Sequence, residues 1–151
     1  MSNLALKDFE ILSEQEQQEA LALLDRYKTI EKQEVCQKDF IQFVKSQWPD
    51  FVEGRHHRII GEKFNRIAQG KLKRLIVCLP PRHTKSEFAS TFFPAWMMGR
   101  NPKMKIIQAT HTTELAVNFG RKTKNLIDGD EYREGLCKDL GFSKEDRIEN
   151  N

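Results

Sequence analysis

Lys85 and Ser86 are the residues of this sequence whose types and spacing most clearly could carry chemistry. They end a short loop, residues 80–86, that follows the apolar run of residues 75–79 (LIVCL). In a phosphate-binding loop, a lysine at this place contacts the β- and γ-phosphate oxygens of a nucleotide, and the next hydroxyl completes the Mg²⁺ shell. The pair therefore predicts a nucleotide phosphate site, with Ser86 as the metal ligand.

The loop departs from the usual phosphate-binding sequence, because Leu79 and Thr84 stand where glycines are expected. Neither residue adopts a positive φ as easily as glycine does, so this loop must differ in detail from the common one. Lys85 and Ser86 indicate a phosphate site only because they lie between a predicted strand and a predicted helix. The alternative is an ordinary strand-to-helix turn with solvated charges.

The elements that must position this loop follow from the hydrophobic pattern. Residues 75–79 are typical of a strand buried on both faces, and residues 105–110 of a second strand. Helices are expected from Ser86, with a kink or restart at Pro94, and from the N-cap Thr112 onward. This order predicts the beginning of an α/β domain with a parallel sheet, whose ligands bind at the carboxyl ends of the strands.

A helical segment precedes this domain. Ser13 and Glu16 form a capping box for a helix over residues 14–32. A second helix is expected to end before Pro49, which forces the preceding residue out of the α region. A third helix is expected over residues 55–69.

The first turn of that third helix carries a basic, ring-bearing cluster made of His56, His57 and Arg58. Cations are disfavoured at a helix N-terminus by the helix dipole. The cluster therefore favours a functional role, either stacking on a base or contacting a phosphate. The alternative is a set of partly buried histidines with ordinary hydrogen bonds.

Composition limits the class of protein. With 38% hydrophobic and 31% charged residues among 151, the chain can bury a core and is not a membrane protein. Residues 55–124 contain fifteen basic and three acidic residues, which predicts an anionic partner. Three distant cysteines indicate reduced thiols. Arg121, Lys122 and Lys124 form either a solvated helix face or a nucleic-acid contact.

Several blocks of the sequence resemble the large subunit of tailed-bacteriophage terminases. They are residues 54–58 (GRHHR), 75–87 (LIVCLPPRHTKSE), 93–96 (FPAW), 109–116 (ATHTTELA) and 119–122 (FGRK). Terminase large subunits are ATP-driven motors that move viral DNA into a procapsid, with an N-terminal RecA-like ATPase and a C-terminal nuclease. The resemblance implies an α/β fold, an incomplete P-loop NTPase (RecA-like) parallel sheet preceded by an N-terminal helical segment.

The resemblance also implies ATP and Mg²⁺ as cofactors and roles for individual residues. Arg82 and Lys85 would be catalytic, with Arg82 at the γ-phosphate or acting as an arginine finger, and Ser86 would bind the metal. Arg121, Lys122 and Lys124 would contact DNA. The nucleotide-binding residues would be Pro81, Arg82, His83, Thr84, Lys85, Ser86, His56, His57 and Arg58.

The implied partners are double-stranded DNA, a terminase small subunit and the portal, with a ring of subunits in the full-length protein and no membrane. The implied location is the host cytoplasm. The chain would comprise an N-terminal helical lead (residues 1–53), the beginning of the ATPase domain (residues 54–134) and a divergent polar tail (residues 135–151).

The family's Walker B strand and nuclease domain have no counterpart in this sequence. We therefore expect an N-terminal fragment that binds ATP at most weakly and is not a competent ATPase alone. Two alternatives stay open. One is a non-catalytic basic protein that binds DNA or a partner, and the other is a piece of another P-loop NTPase such as a helicase.

Overall fold

The computed structural model describes residues 13–136, without the side chains of residues 133–135. Within this range the chain is helical, and none of its helices is long and apolar enough to cross a membrane. The elements in chain order are α1 (Glu14–Lys38), α2 (Phe40–Gln47), α3 (Arg55–Ala68), α4 (Lys85–Glu87), a π-helix (Phe88–Phe92), α5 (Phe93–Arg100), α6 (Thr113–Asp128) and α7 (Asp130–Leu136).

The chain divides into two compact units after Lys32. In the first unit, the backbone N–H and the hydroxyl of Ser13 donate to the Glu16 carboxylate at 2.9 and 2.7 Å, which confirms the predicted capping box. The large apolar residues described in this unit are exposed, for example Leu23 at 55% and Tyr27 at 72%. Helix α1 runs past the predicted end at residue 32 because no proline or glycine interrupts it before Lys38.

The core of the second unit is aromatic and is built around Phe40, which is fully buried. The Phe40 ring meets four other rings edge-on, with centroids 5.0 to 6.1 Å apart, and these belong to Phe64, Phe88, Phe93 and Trp96. Edge-to-face pairs at this separation are favourable beyond the area that they bury. Residues 33–53, which the sequence analysis groups with the helical lead, therefore pack in the same unit as the residues that follow.

A polar network ties α2 to α3. Asp39 is the N-cap of α2, and one of its carboxylate oxygens accepts from the Gln42 N–H at 2.9 Å. The other oxygen accepts from the Asn65 amide at 2.8 Å, while the Asn65 carbonyl oxygen accepts from the Phe40 N–H at 2.9 Å. Two of the N–H groups that α2 cannot pair internally are thus satisfied, and one of them by a residue of α3.

The helix that follows the loop restarts near Pro94, as predicted. Pro94 has no N–H to donate to the Ser90 carbonyl, and the preceding turn is a π-helix in which the Phe93 N–H bonds to the Phe88 carbonyl. The Ser90 carbonyl instead accepts from the side-chain amide of Gln108 at 2.8 Å and from the hydroxyl of Thr123 at 3.3 Å. The missing helical bond is replaced by bonds to two other parts of the chain.

The predicted strands are absent from residues 13–136. Residues 72–80 and 104–110 are extended, but no backbone hydrogen bond joins the two segments in the described part of the chain. A strand is defined by its ladder, and an extended segment without one is not a strand. The parallel sheet of the predicted α/β fold is therefore not seen.

The prediction that residues 75–79 are buried on both faces is also wrong. Leu75, Val77 and Leu79 pack against the core, whereas the side chain of Ile76 is 90% exposed. This alternation is the pattern of a half-buried segment, with one face on the helices and the other open. Ile107 on the second extended segment is 96% exposed as well.

Helix α7 was not predicted. Its Tyr132 and Leu136 are buried, and the Tyr132 hydroxyl donates to the Ala95 carbonyl at 2.6 Å. The Tyr132 ring also meets Phe43 edge-on, with centroids 5.9 Å apart. Through these two residues the helix packs on α2 and α5. The rest of the predicted tail, from residue 137 onward, lies outside the described residues.

Candidate functional site

The loop that precedes Lys85 contains two non-glycine residues in the left-handed region. Arg82 has φ 64° and Thr84 has φ 55°. This conformation is uncommon for residues other than glycine and most costly for a β-branched one such as threonine. Thr84 therefore adopts the backbone conformation for which a glycine is usual, and the surrounding residues must stabilise it.

The side chain of Thr84 is fixed by two short hydrogen bonds. Its hydroxyl donates to the His83 carbonyl at 2.7 Å and accepts from Nε2 of His57 at 2.7 Å. Nδ1 of His57 accepts from the Gly54 N–H at 2.9 Å, so the ring proton is assigned to Nε2. A neutral His57 thus connects the start of α3 to the loop.

The His57 ring is buried among other rings. Its centroid lies 4.8 Å from that of Phe51, 5.1 Å from that of Phe88 and 3.8 Å from that of His56. Burial lowers the pKa of His57, the nearby His56 and His83 lower it further, and the carboxylate of Glu53 acts in the opposite direction. The neutral form that the hydrogen bonds require is therefore also the form that the environment favours.

We expect the protein to lose stability as the pH falls below the ordinary histidine pKa of about 6.5. The folded pKa of His57 lies below its unfolded value, so the unfolded chain binds the proton more readily. The contribution of His57 is complete above the unfolded pKa and is lost as the pH falls toward the folded pKa. Urea unfolding at pH 7.5 and 5.5 measures this, and His57→Phe should reduce the difference between the two pH values. An equal difference in both proteins would contradict the expectation.

Lys85 and Ser86 lie at an open cleft of about 410 Å³ beside the loop. The cleft also contacts the apolar side chains of Val77, Phe64 and Phe93. The Lys85 ammonium donates to the Leu79 carbonyl at 3.5 Å, at the outer limit of hydrogen bonding. A cation and a hydroxyl therefore stand at the mouth of a largely apolar space.

The remaining candidates of the loop are exposed. The Arg82 and Pro81 side chains face solvent, and His83 donates from Nδ1 to the Pro81 carbonyl at 2.9 Å. The His56 and His83 rings lie 5.6 Å apart, so the first turn of α3 is close to the loop. These positions bring most of the predicted nucleotide-binding residues together.

Arg58 forms an ion pair with a residue outside the loop. Its Nε pairs with Glu53 at 2.7 Å, and the other Glu53 oxygen pairs with Lys45 at 2.6 Å. These cations, Lys45 first, lower the pKa of Glu53. Any contact of Arg58 with a nucleotide would compete with this ion pair.

Of the three basic residues on α6, Lys122 pairs with Glu87, whereas Arg121 and Lys124 are exposed. The pair brings the middle of α6 beside the residue that follows Ser86. Sequence reasoning missed the partner roles of Glu53 and Glu87. A signal existed for Glu87, because it is one of only three acidic residues in a block with fifteen basic ones.

The comparisons with known proteins point to a kinase. The profile of the adenylylsulphate kinase family matches residues 93–151, less than half of the chain. The adenylyl-sulfate kinase of Acaryochloris marina is 47% identical over 55 residues, which are 36% of this chain and 26% of that protein. The adenylyl-sulfate kinase of Shewanella amazonensis is 76% identical over 25 residues, 17% of this chain and 13% of that protein.

These similarities are local. Over the 55-residue matches, the chain spans about a quarter of the length of its relatives. No solved structure matches the chain. The matched range begins at Phe93 and includes α5, α6 and α7, so Lys85 and Ser86 lie just before it.

The predicted membership of the terminase family is wrong. The family profile and the curated relatives are adenylyl-sulfate kinases, and they support the broader alternative, a piece of another P-loop nucleotide-binding protein. Binding of nucleotide agrees with this broader class. The predicted roles in viral genome packaging and DNA translocation do not.

The predicted partners are wrong for the same reason. The relatives are named for a small molecule, adenylyl sulfate, and not for double-stranded DNA, a terminase small subunit, a portal or a ring of motor subunits. The assignment of Arg121, Lys122 and Lys124 to DNA contact depended on those partners. The matches are to bacterial enzymes and give no support to a viral origin.

Proposed function

We propose that this chain is part of a P-loop nucleotide kinase that acts on adenylyl sulfate, with residues 80–86 as its phosphate-binding loop. The observation that carries this proposal is the similarity of residues 93–151 to adenylyl-sulfate kinases. The position of the loop adds to it, because Lys85 and Ser86 lead through a short helical stretch into the first matched residue, Phe93.

Lys85 is the proposed ligand of the transferred phosphate. Its bond to the Leu79 carbonyl is long and has a neutral acceptor. A phosphate oxygen would replace that neutral acceptor with an anionic one, which adds the attraction between opposite charges to the hydrogen bond. Lys85 would then stabilise the charge that develops on the phosphoryl group during transfer.

Arg82 and Ser86 are proposed to complete the phosphate site. The exposed guanidinium of Arg82 is two residues from a strained threonine and would approach the γ-phosphate, where a second cation stabilises the transition state. The exposed Ser86 hydroxyl offers one oxygen to Mg²⁺. This fits the ion, because Mg²⁺ usually takes one or two protein ligands and the rest from phosphates and water. When bound, Mg²⁺ would neutralise phosphate charge.

The cleft next to Lys85 is the proposed place for the less polar part of the nucleotide. Its apolar walls come from α3, from the first extended segment and from the helices after the loop, and they include Phe64, Val77 and Phe93. Its volume of about 410 Å³ lies within the range of small-ligand pockets. Phosphates at Lys85 and a ring in the cleft would be adjacent.

Calorimetric titration of the 151-residue chain with ATP and Mg²⁺ tests the proposal. We expect Lys85→Ala to weaken ATP binding by about ten- to a hundredfold, the effect of one hydrogen bond to a charged group. Lys73→Ala removes an exposed lysine of the segment before the loop and is the matched control, expected to leave the dissociation constant within about twofold. No ATP binding by the wild type, or equal affinity in Lys85→Ala and Lys73→Ala, would overturn the phosphate-site assignment.

A second titration tests the substrate. Adenylyl sulfate and adenosine monophosphate differ by the sulfate group, so tighter binding of adenylyl sulfate identifies recognition of that group. Both titrations are made with adenosine diphosphate present. We expect adenylyl sulfate to bind more tightly than adenosine monophosphate. Equal affinity for the two ligands would leave a nucleotide-binding protein and would reject the adenylyl-sulfate kinase assignment.

A further inference from the structure

We propose that His57 is a positioning residue that keeps Thr84 in the left-handed conformation and thereby shapes the loop of residues 80–86. The inference depends on the proposed function in one respect only, namely that this loop binds phosphate. It assigns to His57 a role different from ligand contact, because both of its ring nitrogens bond to the protein itself.

The orientation of the His57 ring is fixed independently of the loop. Nδ1 accepts from the Gly54 N–H at 2.9 Å, at the start of the same helix. The ring packs against Phe51 and Phe88, and the side chain is buried. A ring that is fixed at one nitrogen and packed against aromatic side chains presents the other nitrogen, Nε2, in one direction.

Thr84 is the residue that requires this fixed donor. Its φ of 55° is costly for a β-branched side chain, and a strained residue persists only when its surroundings determine it. The hydroxyl accepts from Nε2 of His57 at 2.7 Å and donates to the His83 carbonyl at 2.7 Å. The first bond ties the loop to α3, and the second closes the turn directly before Lys85.

The consequence is that His57 acts on nucleotide through the loop. Without the donor, Thr84 would spend much of its time in the extended or right-handed region, and Lys85 would move with it. The apparent affinity for a ligand falls in proportion to the fraction of loops in the competent conformation. Loss of the hydrogen bond from His57 to the Thr84 hydroxyl therefore predicts about five- to tenfold weaker binding of ATP.

A double-mutant cycle separates this role from a general structural one. His57→Phe keeps a ring in contact with Phe51 and Phe88 and removes both nitrogens. Thr84→Gly removes the hydroxyl and also the cost of positive φ. We expect His57→Phe to weaken ATP binding five- to tenfold when residue 84 is threonine and less than twofold when it is glycine. The same fold-change in both backgrounds would overturn the inference, and so would no change with threonine.

A measurement without nucleotide keeps this inference separate from the proposed function. The Cα and Cβ chemical shifts of Thr84 report its backbone conformation, and we expect left-handed values in the wild type and loss of them in His57→Phe. Left-handed values that persist in His57→Phe would overturn the inference. If ATP binds nowhere on the chain, the proposed function fails while these shifts still decide the role of His57.

A second variant protects the test against unfolding of His57→Phe. Thr84→Val has the shape of threonine and lacks the hydroxyl, and it lies on the loop outside the core. We expect ATP binding at least as weak as in His57→Phe, because valine has the same steric cost and no acceptor. Affinity equal to the wild type would overturn the inference.

Discussion

Trp96→Ala is expected to lower the free energy of unfolding by about 3–5 kcal/mol, the range for truncating a large buried aromatic residue. Trp96 is fully buried and meets Phe40 and Phe93 with centroids 5.5 and 6.3 Å apart. Its indole N–H donates to the Cys36 carbonyl at 2.8 Å, so the substitution also breaks a buried hydrogen bond. A loss of this size is a large part of the stability of a small protein.

Urea unfolding followed by circular dichroism measures this effect. Trp96→Phe is the matched control, because it keeps a ring in the cavity and removes the N–H donor, and it should lose about 1–2 kcal/mol. Trp48→Ala provides a second reference at a partly buried tryptophan, where a smaller loss is expected. Equal losses for Trp96→Ala and Trp48→Ala would show that the core is not centred on the cluster around Phe40.

Gly99→Val is expected to destabilise the fold by about 2–3 kcal/mol, the cost of overpacking a filled site. A Cβ atom at Gly99 would lie 2.5 Å from the Leu136 Cδ2 atom and 2.7 Å from the Tyr132 hydroxyl. Tyr132 cannot move without giving up its bond to the Ala95 carbonyl. The substitution should therefore displace α7 from α5.

Gly120→Val is the matched control, because a Cβ atom built at Gly120 in α6 meets no atom within 4 Å outside its own turns of the helix. Valine has a slightly better helix propensity than glycine, so the change should be neutral or stabilise by a few tenths of a kcal/mol. In parallel urea titrations, the free energy of unfolding should therefore fall in Gly99→Val and stay the same or rise slightly in Gly120→Val. Similar losses at both glycines would contradict the packing of α7 against α5.

The features that the sequence predicted correctly are those with a local signal. The Ser13 capping box, the Thr112 N-cap and the restart at Pro94 depend on side chains within four residues of the backbone groups that they affect. The Thr112 hydroxyl, for example, accepts from the Leu115 N–H at 3.3 Å. Such bonds need only the conformation of a few neighbouring residues and no distant partner.

The features that the sequence did not predict depend on distant partners. An apolar run such as residues 75–79 becomes a strand only when another segment supplies a hydrogen-bonding ladder, and none does so within residues 13–136. Among the described side chains of helix α7, Tyr132 and Leu136 are buried, and both pack close to the small residue Gly99 of α5.

The candidate site shows the same division. The place of Lys85 and Ser86 after an apolar segment and before a helix was predicted, and the structure has it. The positive φ of Thr84 was not predicted, because the bond that accompanies it comes from His57 on another helix. The similarity to kinases lies in residues 93–151, whose last part has few apolar residues and was interpreted as a divergent tail.

Pro94 affects the hydrogen bonds of two distant parts of the chain. By withholding one N–H it leaves the Ser90 carbonyl to an amide from residue 108 and a hydroxyl from residue 123. The carbonyl that the helix leaves unpaired thus binds two other parts of the chain, the second extended segment and α6. Any other residue at position 94 would supply a backbone N–H, which could bond to the Ser90 carbonyl and compete with the bonds from residues 108 and 123.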